Sequence, residues 1–323
     1  MKTAGGVSRS IRRGLIALLF LVIGAALWLA FELNAPWSES SESPSAVTEA
    51  PPLTSTPQSP APAVPLPTPQ VATSSGGINF HLIRRAAIRT PSPPYGPLYQ
   101  QLLPLAQSRD HPAQLRLGLL LYECRDVPAD TVTLDRDIEQ TYQTRRRGGF
   151  DVTDPQFEDQ TLRRRFQDCR DVPAAARDQY RDWIKQAADA GLLEAELELP
   201  LHLPQGEYCQ YLAECSAAQR ARQDALQAEA IDYMTRAREA GSAAALWTFG
   251  GWYAQGEVLP NNDIEAYANF QALDEINRAA GQPQRFAGML KSLRARLRPA
   301  DLITAQAQAD ALLSNPNCCV LTP

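Results

Sequence analysis

Apolar residues recur at helical spacing from about residue 78 onward, and almost no stretch alternates apolar with polar positions. Residues three and four apart share one face of a helix, so this pattern predicts amphipathic helices that each bury one stripe. Two of them are predicted at 131–147 and 155–167, and a last one at 298–313 would cover the final exposed face. We therefore expect residues 78–323 to form an all-α domain.

A different pattern marks the beginning of the chain, where the 18 residues 14–31 form an uncharged, mostly apolar run. A helix of this length would be about 27 Å long, just enough to cross the hydrocarbon core of a membrane. A cleaved signal peptide is the alternative. Its apolar stretch is usually shorter and is followed by a small-residue cleavage site, for which residues 32–36 are a poor match. We predict an uncleaved transmembrane helix.

Basic residues are distributed unevenly on the two sides of this segment. Four of them lie within the first 13 positions, whereas the next one is Arg84. Positive charge is retained on the cytoplasmic side of a membrane, so residues 1–13 are predicted to be a cytoplasmic tail. Only 3 of the 31 basic residues are lysine, a usage typical of GC-rich bacterial genes. The prediction is a single-pass protein of a bacterial inner membrane, with its C-terminal domain in the periplasm.

Residues 35–77 separate this segment from the predicted domain. They contain 10 of the 26 prolines, many serines, threonines and alanines, and no basic residue. Such a composition cannot bury enough apolar surface to fold, and its prolines favour extended chain. The whole segment is predicted to be a disordered linker.

Internal repetition is visible in the second half of the chain. Two stretches fifty residues apart carry an aromatic residue, an alanine, a glycine and an alanine at intervals of four: Trp183, Ala187, Gly191 and Ala195, then Tyr233, Ala237, Gly241 and Ala245. The aromatic residue and the first alanine share a helical face, the glycine ends that helix, and the second alanine lies in its partner. Small residues at these places let two helices approach closely.

A denser motif continues the second copy. Its alanines, glycines, tyrosine and aspartate stand at fixed offsets: Ala243, Ala245, Gly250, Tyr253, Gly256, Asp263 and Ala266. With these residues the segment 237–270 resembles the Sel-one-like repeat, a relative of the tetratricopeptide repeat. Phe249 replaces the leucine of that pattern, and Pro200 stands where the preceding copy should have glycine. The resemblance implies an α-solenoid of stacked helical hairpins.

The motif Cys-Arg-Asp-Val-Pro-Ala occurs twice, beginning at Cys124 and at Cys169. The two helices predicted between these cysteines have similar lengths, so the chain would run out and back and bring them together. In an oxidising compartment we expect them to form a disulfide bond.

The remaining cysteines allow several interpretations. Cys209 and Cys215 are predicted to pair across a short turn. Cys318 and Cys319 are adjacent and could bond to each other, attach the tail to the domain or link two chains. A zinc site of His202 with Cys209 and Cys215 is disfavoured, because the chain has only 3 histidines and lacks the short ligand spacing of zinc sites. No metal and no cofactor is predicted.

Charge and motif content narrow the function. A net charge of −5 argues against nucleic-acid binding, and no catalytic motif with specific spacing is present. Seven residues are candidates for binding a partner, six of them on the arms of the predicted hairpin: Arg145, Arg146, Arg147, Arg163, Arg164, Arg165 and Trp247. The arginines could equally be solvated helix faces.

Together these features predict a membrane-tethered periplasmic scaffold that binds a protein partner on its solenoid surface and catalyses no reaction. Partner binding as the default function is what the resemblance implies. The alternative is a cell-envelope factor or enzyme whose solenoid binds peptidoglycan or a peptide ligand. A third interpretation is dimerisation through Cys318 or Cys319.

Overall fold

The structure is a computed structural model that describes residues 69–147, 155–202, 215–256 and 258–322. Its helices are α1 (Tyr95–Gln107), α2 (His111–Cys124), α3 (Thr131–Arg147), α4 (Pro155–Cys169), α5 (Ala174–Arg177), α6 (Tyr180–Asp189), α7 (Leu193–Glu198), α8 (Ala217–Glu239), α9 (Ala243–Gln255), α10 (Asp263–Ala279), α11 (Ala287–Arg296) and α12 (Pro299–Leu313). Three strands accompany them, β1 (Gln70–Thr73), β2 (Asn79–Arg84) and β3 (Val320–Leu321). The predicted predominance of helix is confirmed, but the domain also contains a small sheet that was not predicted.

The predicted cytoplasmic tail, the predicted transmembrane segment 14–31 and most of the predicted linker lie outside the described residues. Within the described ranges, no helix combines the length and the apolar content required to span a bilayer. The membrane anchor therefore remains a prediction from the sequence.

Four helices end in the same turn, in which a residue of left-handed conformation follows the last helical residues. The residues with positive φ are Arg109 (67°), Gly191 (82°), Gly241 (84°) and Gly281 (71°). In each turn the next amide donates to a carbonyl five residues earlier, the bond that defines a Schellman motif. The donor–acceptor distances from Asp110, Leu192, Ser242 and Gln282 are 3.1, 3.1, 3.0 and 2.8 Å. Gly191 and Gly241 thus end their helices as predicted.

The first three of these turns lead directly into α2, α7 and α9, and each of these helices packs on the first helix of the next repeat. The stack runs along the chain, and each helix contacts the next in the order α1, α2, α6, α7, α8, α9, α10 and α12. Helix α11 packs on α10. The α3–α4 hairpin is inserted between α2 and α6. Gly191 follows Arg109 by 82 residues, and the hairpin between the two cysteine motifs accounts for 45 of them. Without the hairpin, the length of this repeat is close to the 40 residues between Gly241 and Gly281.

Two glycines occupy the closest helix contacts of this stack. A Cβ atom on Gly118 of α2 would lie 2.5 Å from Ile184 Cγ1 of α6, and one on Gly250 of α9 would lie 2.9 Å from Phe270 Cε1 of α10. Both glycines stand eight residues after the cap of their helix, Asp110 and Ser242 respectively. The glycine of the repeat motif is therefore required by helix packing.

The repeat formed by α6 and α7 departs from this arrangement at Pro200, where its sequence also departs from the repeat pattern. Pro200 stands at the position equivalent to Gly250, and α7 ends at Glu198 in a 3-10 turn, Leu199–Leu201. Proline has no amide hydrogen to donate and its ring displaces the preceding turn, so a regular helix cannot continue through it. The second helix of this repeat is correspondingly short.

The linker prediction is wrong for residues 69–77, because β1 and its turn belong to the folded domain. β1 pairs with β2 in antiparallel register, with Val71 opposite His81, and β2 pairs with β3 in parallel register, with Ile83 opposite Val320. The Val320 amide donates to the Gly241 carbonyl at 2.7 Å, so β3 lies between β2 and the α8–α9 turn.

One buried carboxylate attaches the β1–β2 turn to α10. Glu275, 7% exposed, accepts hydrogen bonds from the Ser75 amide at 2.9 Å, from the Ser75 hydroxyl and from the Arg278 guanidinium. Burial alone would raise the pKa of Glu275, but the hydrogen bonds from Arg278 and Ser75 outweigh it and hold the pKa below its usual value. The anchored turn places the sheet against the end of the stack.

We predict that Gly250→Ala lowers the free energy of unfolding by about 1–3 kcal/mol, because the new methyl group is forced against the buried Phe270 ring. The matched control is Gly251→Ala. A Cβ at Gly251 meets nothing within 4 Å, so alanine should raise stability by about 0.5–1 kcal/mol through helix propensity. Urea unfolding of the two variants measures both values, and equal effects would contradict the packing role.

We predict that Glu275→Gln destabilises the protein at neutral pH and that the difference from wild type shrinks as the pH falls. A carboxylate whose pKa is lowered by folding stabilises above its unfolded pKa, about 4.3 for glutamate, and loses this effect as it becomes protonated at lower pH. Unfolding midpoints measured between pH 7 and pH 3 test this, with Glu239→Gln as the control for one lost surface charge. A difference independent of pH would contradict the prediction.

Candidate functional site

A network of polar side chains joins the second repeat, α6–α7, to the third repeat, α8–α9. Lys185 of α6 donates to the Tyr233 hydroxyl of α8, which donates to Asp189, and Lys185 also lies 3.2 Å from Glu229. Burial acts to lower the pKa of Lys185, but its hydrogen bonds to Tyr233, Glu229 and Asp189 outweigh it and raise the pKa above its usual value. Arg181 adds a further ion pair to Glu229. These groups satisfy one another, so the network joins repeats.

An open groove of about 350 Å³ lies further along the stack, where α8, α10 and α12 meet. Its lining combines charged, amide and apolar side chains: Arg238, Glu239, Glu265, Gln308, Ala311, Leu312 and Asn315. We call it the α8–α12 groove. Its size is at the lower end of the range for pockets that hold small ligands or short peptide segments.

Arg238 is the basic group of this groove. Its guanidinium carbon lies 4.0 Å from the centroid of the Phe249 ring, a cation–π contact between α8 and α9. Phe249 is 2% exposed and packs in turn against Trp252 and Tyr253. Among the described residues no carboxylate pairs with Arg238, and its guanidinium donates no hydrogen bond to them. The aromatic contact positions the charge while its donors stay unused.

The opposite side of the groove carries a fixed carboxylate. Gln308 Nε2 of α12 donates to Glu265 Oε1 of α10 at 3.1 Å. Near α8, Asn315 Nδ2 donates to the Glu239 carbonyl at 3.1 Å and so fastens the end of α12 to the end of α8. Hydrogen bonds therefore hold the walls of the groove together and leave the Glu239 carboxylate exposed.

The arrangement is suited to binding charged and polar groups. A guanidinium can form two parallel hydrogen bonds with a carboxylate, and the two glutamates can accept from a cation. Over the ranges that the structure describes, no cluster of three metal-ligating side chains occurs. His202 of the disfavoured zinc site instead contacts Glu198 through Nε2 at 3.0 Å, and Cys209 lies outside the described residues.

The base of the α3–α4 hairpin confirms the predicted disulfide between Cys124 and Cys169, whose Cα atoms are 5.6 Å apart. Both sulfurs are buried beside Arg177, which is 4% exposed. Arg177 donates to the carbonyls of Val127 at 2.6 Å, of Cys169 at 3.1 Å and of Val172 at 3.0 Å. One guanidinium thus joins the two repeated cysteine motifs, and burial lowers its pKa.

The structure describes the pairing of some of the remaining cysteines. Cys318 and Cys319 bond to each other and are 3% and 0% exposed, as the first of the predicted alternatives has it. Their burial against the C-terminal core also attaches the tail to the domain. Cys215 is disulfide-bonded, and its predicted partner Cys209 lies outside the described residues.

The arginines predicted to bind a partner are not gathered into one site. Arg163 forms ion pairs with Asp135 and Asp159, each at 2.8 Å, and Arg165 donates to the Glu123 carbonyl at 2.7 Å. The Arg163–Asp135 pair joins the two arms of the hairpin, and Arg165 attaches α4 to α2. The exposed members of the set are Arg146, Arg147, Arg163 and Arg164, and the side chain of Arg145 lies outside the described residues.

Trp247 is 58% exposed and does not line the α8–α12 groove. Its helix, α9, packs on α8 through Ala245 and Phe249 and on α10 through Leu246, so Trp247 lies on the remaining face. Its predicted part in partner binding stays a prediction for that other face. Arg238 was missed because a single arginine near a helix end carries no sequence signal.

Comparisons with known proteins give distant likeness to solved structures. No protein family matches the chain, and no curated protein does. Among solved structures, the chain is similar to a protective antigen present in uropathogenic Escherichia coli strains, which displays an SLR, or Sel-one-like repeat, fold. The sequences are 16% identical, the match covers 69% of this chain and 50% of the antigen chain, and the TM-score is 0.25. The match thus spans about half the length of that antigen chain.

We predict that Cys124→Ala combined with Cys169→Ala lowers the free energy of unfolding by about 4 kcal/mol, because the bond closes a loop of 45 residues. We choose alanine instead of serine, because serine would bury an unpaired hydroxyl group at each site. Urea unfolding measures the loss, and limited proteolysis should show new cleavage within α3 and α4. A loss below about 1 kcal/mol would show that Arg177 and packing hold the hairpin without the crosslink.

Proposed function

We propose that the chain is a Sel-one-like repeat protein that acts as a membrane-tethered periplasmic scaffold and binds a partner protein in the α8–α12 groove. The observation that carries this proposal is the groove itself, a concave surface between stacked helices with an arginine that has no acidic partner in the part of the chain that the structure describes. Stacked helical hairpins expose extended surfaces of this kind, and binding is their usual role.

The repeat assignment is supported by the positions of the motif residues. Ala237 and Ala245 are fully buried where α8 meets α9, Gly250 lies at the contact with α10, and Gly256 ends α9 in the left-handed conformation with φ of 72°. Each of these four motif residues thus has the packing or turn role that a helical-hairpin repeat requires. The seam they form fixes the distance between α8 and α10, which sets the width of the groove.

The membrane topology needs its own experiment. Alkaline phosphatase fused after Gly77 should be active when the chain is expressed in bacteria, because the enzyme folds in the oxidising periplasm. A fusion of the same reporter after residue 13 should be inactive. Activity of the second fusion alone would overturn both the orientation and the location.

Partner binding can be tested in intact cells with the full-length chain. A photoreactive residue placed at Ala311, within the groove, should give a crosslinked protein of defined mass. The same residue at Trp247, exposed on another face, is the matched control. Crosslinking to peptidoglycan from Ala311 would favour the cell-wall alternative, and products from Trp247 alone would move the binding surface away from the groove.

A further inference from the structure

We infer that the α8–α12 groove binds an extended peptide segment of a partner protein, in which one acidic side chain pairs with Arg238 and a nearby basic side chain pairs with Glu239 or Glu265. This inference rests on the proposed function and adds the chemical class of the bound segment. The argument depends on which charges in the groove are already neutralised and which are not.

Arg238 is available to pair with a carboxylate from outside the described part of the domain. Several arginines of the domain have carboxylate partners within it, as Arg181, Arg278 and Arg296 do with Glu229, Glu275 and Asp263. Arg238 has none among the described residues, although it is half-buried and positioned by Phe249. A guanidinium positioned in this way loses little freedom when a carboxylate binds, so the pair should form at low entropic cost.

The two glutamates determine what else the bound segment contains. Glu239 and Glu265 lie in the same groove as Arg238 and exceed it in charge. A uniformly anionic partner, such as nucleic acid or an acidic lipid surface, would gain one attraction and suffer two repulsions. A peptide that carries both an acidic and a basic side chain pairs with Arg238 and with one of the glutamates, which favours a protein segment of mixed charge.

The apolar part of the lining limits the shape of the segment. Ala311 is exposed and offers only a methyl group, and Leu312 is half-buried beside it. A volume of about 350 Å³ accommodates a few residues of extended chain rather than a folded element. Small or aliphatic side chains between the two charged ones would rest on this surface.

The test uses purified full-length chain in detergent and a displayed library of random seven-residue peptides as the probe. Wild-type protein should enrich peptides with one acidic and one basic residue. The strongest peptide, made synthetically with a fluorophore, should bind the Arg238→Gln variant at least tenfold more weakly by fluorescence anisotropy. Replacing its acidic residue by the amide should produce a similar loss with wild-type protein and no further loss with Arg238→Gln.

A second variant separates loss of binding from loss of folding. Ala311→Trp fills the groove without changing its charge and should also abolish binding. Its control is Ile303→Trp, an exposed position about two turns away on the same helix and outside the groove, which should bind as wild type does. For Arg238→Gln the control is Arg294→Gln, an exposed arginine on α11. Circular dichroism and thermal unfolding should show that all four variants remain folded.

The outcomes distinguish this inference from the proposed function. Enrichment of peptides of one charge sign, equal binding by wild type and Arg238→Gln, or no enrichment at all would overturn the inference. If Ala311 nevertheless crosslinks to a protein in cells, the scaffold function stands and the groove recognises a folded surface. If neither experiment gives binding at the groove, both proposals fail together.

Discussion

The whole arrangement depends on how closely neighbouring helix backbones approach one another. At Gly118 and Gly250 the next helix occupies the space where a side chain would begin, and the fully buried Ala187, Ala237 and Ala245 provide equally narrow seams elsewhere. Dispersion contacts are individually weak and fall off steeply with distance, so such seams contribute only while they remain tight. This requirement fixes the spacing of the helices, and the spacing in turn decides where a groove is left open.

The parts of the fold that could be predicted are those encoded by nearby residues. Gly191 and Gly241 mark helix ends because glycine readily adopts positive φ, and the paired cysteine motifs mark the base of the hairpin. The equivalent turn at Arg109 was hidden, since an arginine is unusual in the left-handed conformation. The sheet was missed for another reason. β2 is paired with a strand more than 200 residues away, and β1 has the composition of a linker.

The candidate site shows the same division between local and distant information. The arginine clusters on the hairpin were visible as runs, but the structure pairs Arg163 within the hairpin and binds Arg165 to a backbone carbonyl of α2. Arg238 differs from other arginines only through Phe249, eleven residues away, and through α12, seventy residues away. No local pattern indicates which arginine will lack a carboxylate, because that depends on the complete set of tertiary neighbours.

The sheet has a mechanical consequence for a chain held at one end. Strands β1 and β3 flank the same strand, so the two ends of the domain emerge within roughly 10 Å of each other, about two strand spacings. A load applied through the residues before β1 would be carried first by the β1–β2 hydrogen bonds and by Glu275. The helix stack, and any partner held in it, would stay unstretched until those few bonds had separated.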